Sequence, residues 1–136
     1  MAGVVAAVDD LFFGAKLRET ARGLDVALIL VPSSQEVAAV VRARRPALVI
    51  VDLQSDACRP LETIRAIKAD PDLRDTPVLG FFSHVRDDLK AAAAAAGCDE
   101  LLPRSAFSAH LPEILRRCVP ATHDGCAADA PPGARL

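Results

Sequence analysis

Three carboxylates carry the first hint of chemistry in this sequence. Asp9 and Asp10 follow the apolar run 3–8 (GVVAAV), and Asp52 follows the run 47–51 (ALVIV). If these runs are neighbouring parallel strands, their carboxyl ends lie side by side, and such sheets bind ligands outside those ends. Carboxylates crowded together repel and raise one another's pKa unless a cation intervenes. A hard divalent ion such as Mg2+ takes oxygen ligands in an octahedral shell and keeps several waters. It would also shield Asp52 from an incoming anionic phosphoryl group. Each acid also has a plain structural reading, with Asp9 or Asp10 capping the next helix and Asp52 ending a strand. The three together, at two strand ends, point to a pocket.

The elements that must position them follow from periodicity. Five short apolar runs, at 3–8, 25–31, 47–51, 78–82 and 99–102, suit strands buried on both faces, the last of them weakly. Between them lie helical stretches. Residues 11–22 carry Phe13, Leu17 and Ala21 at four-residue steps. Ser33-Ser34-Gln35-Glu36 reads as a capping box ahead of Val37, Val40 and Val41. Pro60 suits the first position of a third helix bearing Leu61, Ile64 and Ile67. Ala91 to Ala96 favour a fourth, and Gly97 a stop. Ser108 is expected to cap a last helix holding Leu111, Ile114 and Leu115, with Pro112 in or near its first turn. This alternation predicts a doubly wound parallel sheet in the flavodoxin-like order 2-1-3-4-5, as an α/β/α three-layer sandwich. One domain is expected over residues 1–118. The stretch 119–136, rich in Pro, Gly, Ala and Asp and without periodicity, reads as a disordered tail.

Composition removes other classes. With 136 residues, 51% of them hydrophobic, the chain can build one core without disulfides. A net charge of −2 gives no bulk attraction to nucleic acid or anionic lipid. No apolar stretch reaches the roughly 18–20 residues that span a bilayer, and no leader pattern opens the chain. A cytoplasmic, soluble protein is therefore expected. Cys58, Cys98, Cys118 and Cys126 show no C-x-x-C spacing and read as reduced thiols rather than a zinc site. Neither a Gly-rich phosphate loop nor a nucleophile–base pair is evident, so an enzyme is not expected.

The pieces VDD (8–10), VIVDL (49–53), DPDLRDTPV (70–78) and AAGCDELLPR (95–104) resemble a CheY-type response-regulator receiver domain over residues 3–117. That resemblance implies roles. Asp52 matches the phosphoryl acceptor. Asp9 and Asp10 match the acidic pair that holds Mg2+, with the backbone carbonyl of Gln54 completing the metal site. The implied partners are a histidine kinase or phosphotransferase upstream and a downstream protein docking on the face of the fourth helix, fifth strand and fifth helix.

The departures matter equally. After the acceptor, Leu53-Gln54-Ser55-Asp56-Ala57-Cys58-Arg59-Pro60 lacks the Met-Pro and Asp-Gly pairs usual in receivers. The Thr or Ser switch position falls on Phe82 without gaps and on Ser83 with a one-residue shift. Only the Ser hydroxyl can bond a phosphoryl oxygen, so Ser83 is expected to face Asp52, with Phe82 buried behind a helix. Arg104-Ser105 stands where receivers carry Lys and a cis-Pro. Without proline a cis bond would cost about 2.5–4 kcal/mol, so a trans bond is expected. Arg104 is expected to reach the acidic pocket, where Asp52 could hold it bidentately. Leu101 replaces the family's rotating aromatic residue. His84 reads as a solvent-facing loop residue. Three functions remain open: a working receiver, a pseudo-receiver signalling by contact alone, and an unrelated flavodoxin-like binding protein or small enzyme.

Overall fold

The computed structural model describes residues 3–31, 34–54, 59–82 and 87–118. The expected tail at 119–136 lies outside them, as do Ser33, Ser83 and His84. Strands and helices alternate as β1 (Val4–Ala7), α1 (Leu11–Gly23), β2 (Leu28–Leu30), α2 (Ser34–Arg44), β3 (Leu48–Asp52), α3 (Pro60–Ala69), β4 (Val78–Phe82), α4 (Asp87–Ala96) and β5 (Glu100–Pro103), followed by α5 (Arg104–Ala109) and α6 (Leu111–Arg116). The five strands form one parallel sheet in the order β2-β1-β3-β4-β5, as the alternation predicts.

Side chains alternate across the sheet and divide the core in two. Val4, Ala6, Ile50, Leu79 and Phe81 face Phe13 and Leu17 of α1, Phe107 of α5, and Leu111 and Leu115 of α6. Val5, Val49, Val51 and Phe82 face Val37 of α2, Ile64 and Ile67 of α3, and Ala93 of α4. Central strands β1, β3 and β4 are fully buried, which explains their unbroken apolar runs.

Local signals place the helices. Pro60 opens α3, where its missing N–H costs no helical bond. Gly97 ends α4 at a φ of +110°, where a Cβ would approach Lys68 Cγ to 2.8 Å. Lys68 holds the loop before β4 by donating to the carbonyls of Arg74 and Thr76 and to the Asp99 carboxylate. Asp99 in turn accepts from the Val78 backbone N–H, which fixes the start of β4.

The expectation for the last helix is corrected. Ser108 caps nothing there; it lies within α5, a short helix that begins immediately after β5. The chain breaks at His110 and resumes as α6. The reason is Pro112, which has no N–H to give Ser108's carbonyl and whose ring would clash with it in a continuous helix.

Candidate functional site

The site lies at the carboxyl ends of β1, β3 and β5. β3 carries Asp52 as its last residue, and the preceding Ile50 and Val51 are fully buried, so the strand anchors it firmly. Asp52 is itself buried, with 8% of its surface exposed. One carboxylate oxygen, Oδ1, accepts the Gln54 backbone N–H at 3.0 Å, a local turn that orients the group. Burial pushes the Asp52 carboxyl above the usual carboxylate range. The Gln54 bond and the Arg104 charge oppose that shift, while the Asp9 and Asp10 charges add to it.

Asp10 does two jobs. Its Oδ1 accepts the Phe13 N–H at 3.1 Å, so Asp10 is the N-cap of α1. Its Oδ2 takes a 2.8 Å hydrogen bond from Arg104 Nη2 in a half-buried ion pair. The Phe13 amide, with the Arg104 guanidinium behind it, holds the Asp10 carboxyl below its ordinary range. Asp9 is exposed.

Arg104, the first residue of α5, reaches the acidic pocket as expected, but not as expected in detail. It pairs with Asp10 through one oxygen, not with Asp52 through two. Its guanidinium carbon lies 4.6 Å from the centre of the Phe13 ring, on α1, and Asp10 stands at the start of that same helix. No cis peptide bond occurs among the described residues, so Arg104-Ser105 is trans.

Beneath the guanidinium lies an aromatic base that the sequence did not reveal. Phe81 and Phe107 stack with centroids 4.9 Å apart and planes within 2°. Phe13 leans on both, at 4.9 and 5.7 Å. Five Phe are the sole aromatic residues of the chain, and this triad joins three distant segments. The register pairs Asp52 with Phe81, which therefore occupies the Asp52 side of the sheet. Phe82 is buried in the opposite layer, as expected, and does not cover the pocket.

The metal site expected of Asp9, Asp10, Asp52 and the Gln54 carbonyl is not assembled. The donor chemistry suits a hard divalent cation. The arrangement does not, because the Arg104 guanidinium already occupies Asp10 and Asp9 is exposed. Among the described residues no group of three His, Cys, Asp or Glu side chains is placed to hold a metal ion. The thiols of Cys98 and Cys118 are free, and burial pushes both above the usual range.

Two large apolar side chains stand at the rim. Leu11 and Phe12, in the first turn of α1 beside Asp10, are 88% and 91% exposed. Leu101 packs against the edge of the α2–α3–α4 core layer, so β5 presents no aromatic switch.

No protein-family model and no curated protein matches this chain. Solved structures do. The chemotaxis response regulator CheY4 of Vibrio cholerae is 19% identical, covering 88% of this chain and 99% of its own, with a TM-score of 0.75. The phosphorylated cyanobacterial phytochrome response regulator RcpA is 21% identical, covering 85% and 89%, with a TM-score of 0.72. The response regulator Rcp1, solved in an Mn(2+)-bound form, is 20% identical, covering 84% and 88%, with a TM-score of 0.69. The chain therefore has the fold of the CheY-like receiver domains of response regulators. Among its described residues no helix is long and apolar enough to cross a membrane.

Proposed function

We propose that this chain is a cytoplasmic receiver module that accepts a phosphoryl group on Asp52 and signals by docking to other proteins. The observation that supports this reading is the setting of Asp52. It is a strand-end carboxylate, oriented by one backbone N–H, on which the charges of Asp9, Asp10 and Arg104 act. In the transfer, an Asp52 carboxylate oxygen forms a bond to phosphorus while the bond from phosphorus to a partner's histidine nitrogen breaks. That nitrogen keeps the electron pair, and an acyl phosphate results. Arg104 is the cation at hand for the incoming oxygens, and Ser83 the proposed hydroxyl donor to one of them. The partner is a histidine kinase or phosphotransferase. Its approach to Asp52 passes Leu11 and Phe12, an apolar pair flanked by Lys16 and Arg18 that fits a helical surface with acidic edges. The output surface proposed is the α4–β5–α5 face, where Ala91, Ala94 and Ala95 leave α4 open to close approach while Ala93 and Ala96 pack on the sheet.

A second reading is favoured by one observation: the Arg104–Asp10 pair engages a group that metal-assisted transfer would need. In that reading the chain is a pseudo-receiver whose docking does not depend on phosphorylation. Incubation with acetyl phosphate and Mg2+, followed by intact-mass measurement, separates the two. A gain of one phosphoryl group that disappears in Asp52→Asn supports the acceptor. No gain at any Mg2+ concentration replaces it with the pseudo-receiver.

A further inference from the structure

The contact between Arg104 and Asp10 joins the ends of β1 and β5 through an acid that also caps a helix. We infer that Arg104 is a built-in counter-charge of the acidic pocket, which holds Asp10 so that a divalent cation and the Arg104 guanidinium are mutually exclusive ligands of that carboxylate. This inference concerns cation binding and stands whether or not Asp52 is phosphorylated.

Three constraints hold the guanidinium in place. The 2.8 Å bond to Asp10 Oδ2 is charge-assisted. The Phe13 ring lies 4.6 Å from the guanidinium carbon, and the Phe81 ring 5.8 Å from it. Those rings are themselves fixed by Phe107, which is fully buried. A guanidinium is weakly hydrated and planar, so it loses little on lying against an aromatic face, whereas an ammonium is compact and strongly hydrated. Arginine is therefore the cation this aromatic base suits.

The other side of the competition is equally constrained. Asp10 Oδ1 is committed to the Phe13 N–H, and its release would uncap α1. Oδ2 is the carboxylate oxygen not used by the cap, so it is the natural position for a cation, and it is the atom that Arg104 holds. Asp9 is exposed, Asp52 Oδ1 accepts the Gln54 N–H, and among the described residues no three such acids are grouped to hold a metal, so the Asp10 carboxylate is where the two cations compete.

The test is Mn2+ binding to the full chain, with free Mn2+ followed by electron paramagnetic resonance. Arg104→Met keeps an apolar stem over Phe13 and removes the charge. It should bind Mn2+ about ten-fold tighter than wild type, the gain expected when a charge-assisted bond no longer has to be broken. Adding Asp10→Asn should abolish that gain. Arg104→Gln gives the same comparison with a polar side chain, and circular dichroism checks that each variant is folded. A parallel measurement uses wild type alone: its melting temperature should not respond to millimolar Mg2+. Mn2+ binding as tight in wild type as in either Arg104 variant, or a wild-type melting temperature raised by Mg2+, would overturn the inference.

Discussion

Replacing Asp10 separates two roles that one carboxylate combines. Asp10→Ala removes both the α1 cap and the pair with Arg104. An N-cap is worth about 1 kcal/mol, within a range of about 0.5–2. A partly exposed ion pair adds at most about 1 kcal/mol, here with side chains 35% and 32% exposed. Relief of Asp10's repulsion on Asp52 offsets part of the second contribution. The expected loss for Asp10→Ala is therefore about 1–2 kcal/mol, or a fall in melting temperature of roughly 4–8 °C. Asp10→Asn keeps an oxygen for the Phe13 N–H and loses only the charge, so it should cost less than about 1 kcal/mol. The pH dependence has a definite sign. Asp10 is lowered in the folded state, so it binds fewer protons folded than unfolded between the two pKa values. Its contribution is present above the unfolded value near 3.8 and is lost as pH falls through the lower, folded value. Urea unfolding of the three proteins at pH 7, repeated below pH 4, reads each quantity. Equal stability of Asp10→Ala and wild type at pH 7 would refute the capping assignment, and a loss in Asp10→Asn as large as in Asp10→Ala would refute the division between cap and charge.

Asp52 should behave in the opposite sense. Its folded pKa is raised, so its ionisation destabilises the fold increasingly as pH climbs from the unfolded value near 3.8 through the folded one. Asp52→Asn should therefore melt above wild type at neutral pH, with the advantage shrinking to nothing below pH 4; a lower melting temperature at pH 7 contradicts this. Gly80→Ala places a Cβ 3.0–3.1 Å from three side-chain atoms of Leu53, the residue after Asp52. Overpacking there should cost about 1–3 kcal/mol in chemical unfolding. The double change Leu11→Ser and Phe12→Ser should leave stability within about 0.5 kcal/mol, because both side chains are exposed. Acetyl phosphate labelling of that variant should equal wild type, and a loss of labelling would mean that the pair shapes the pocket itself.

Arg104 shows how far one substitution in a family pattern can be read. Its type alone indicated a longer, forked cation in place of lysine, and three nearby acids called for a counter-charge. Its choice of Asp10 depended on where the Phe13 ring sits, which is a property of α1 packed on β4 and α5. Asp52, by contrast, was the more obvious acceptor from strand order, but its carboxylate is turned to its own loop.

Period and punctuation settled the frame of this protein. Unbroken apolar runs identify strands buried on both faces, four-residue stripes identify helices, and Pro60 and Gly97 mark where two of them start and stop, because these are local effects of sterics and backbone hydrogen bonding. The placement of Asp52 and Asp10 at strand ends follows from that frame. Strand alternation also put Phe82 on the far side of the sheet, since adjacent residues face opposite ways. The split at His110 was latent in Pro112, but the start of α5 at Arg104 had no local signal beyond Pro103. What only the tertiary structure decided is the partnering of charged groups. Asp10 had a cap, a metal and an arginine as competing claims. The choice among them rests on distances between β1, β5 and the Phe13–Phe81–Phe107 base, and residues 94 positions apart in the chain meet there only when the sheet is assembled.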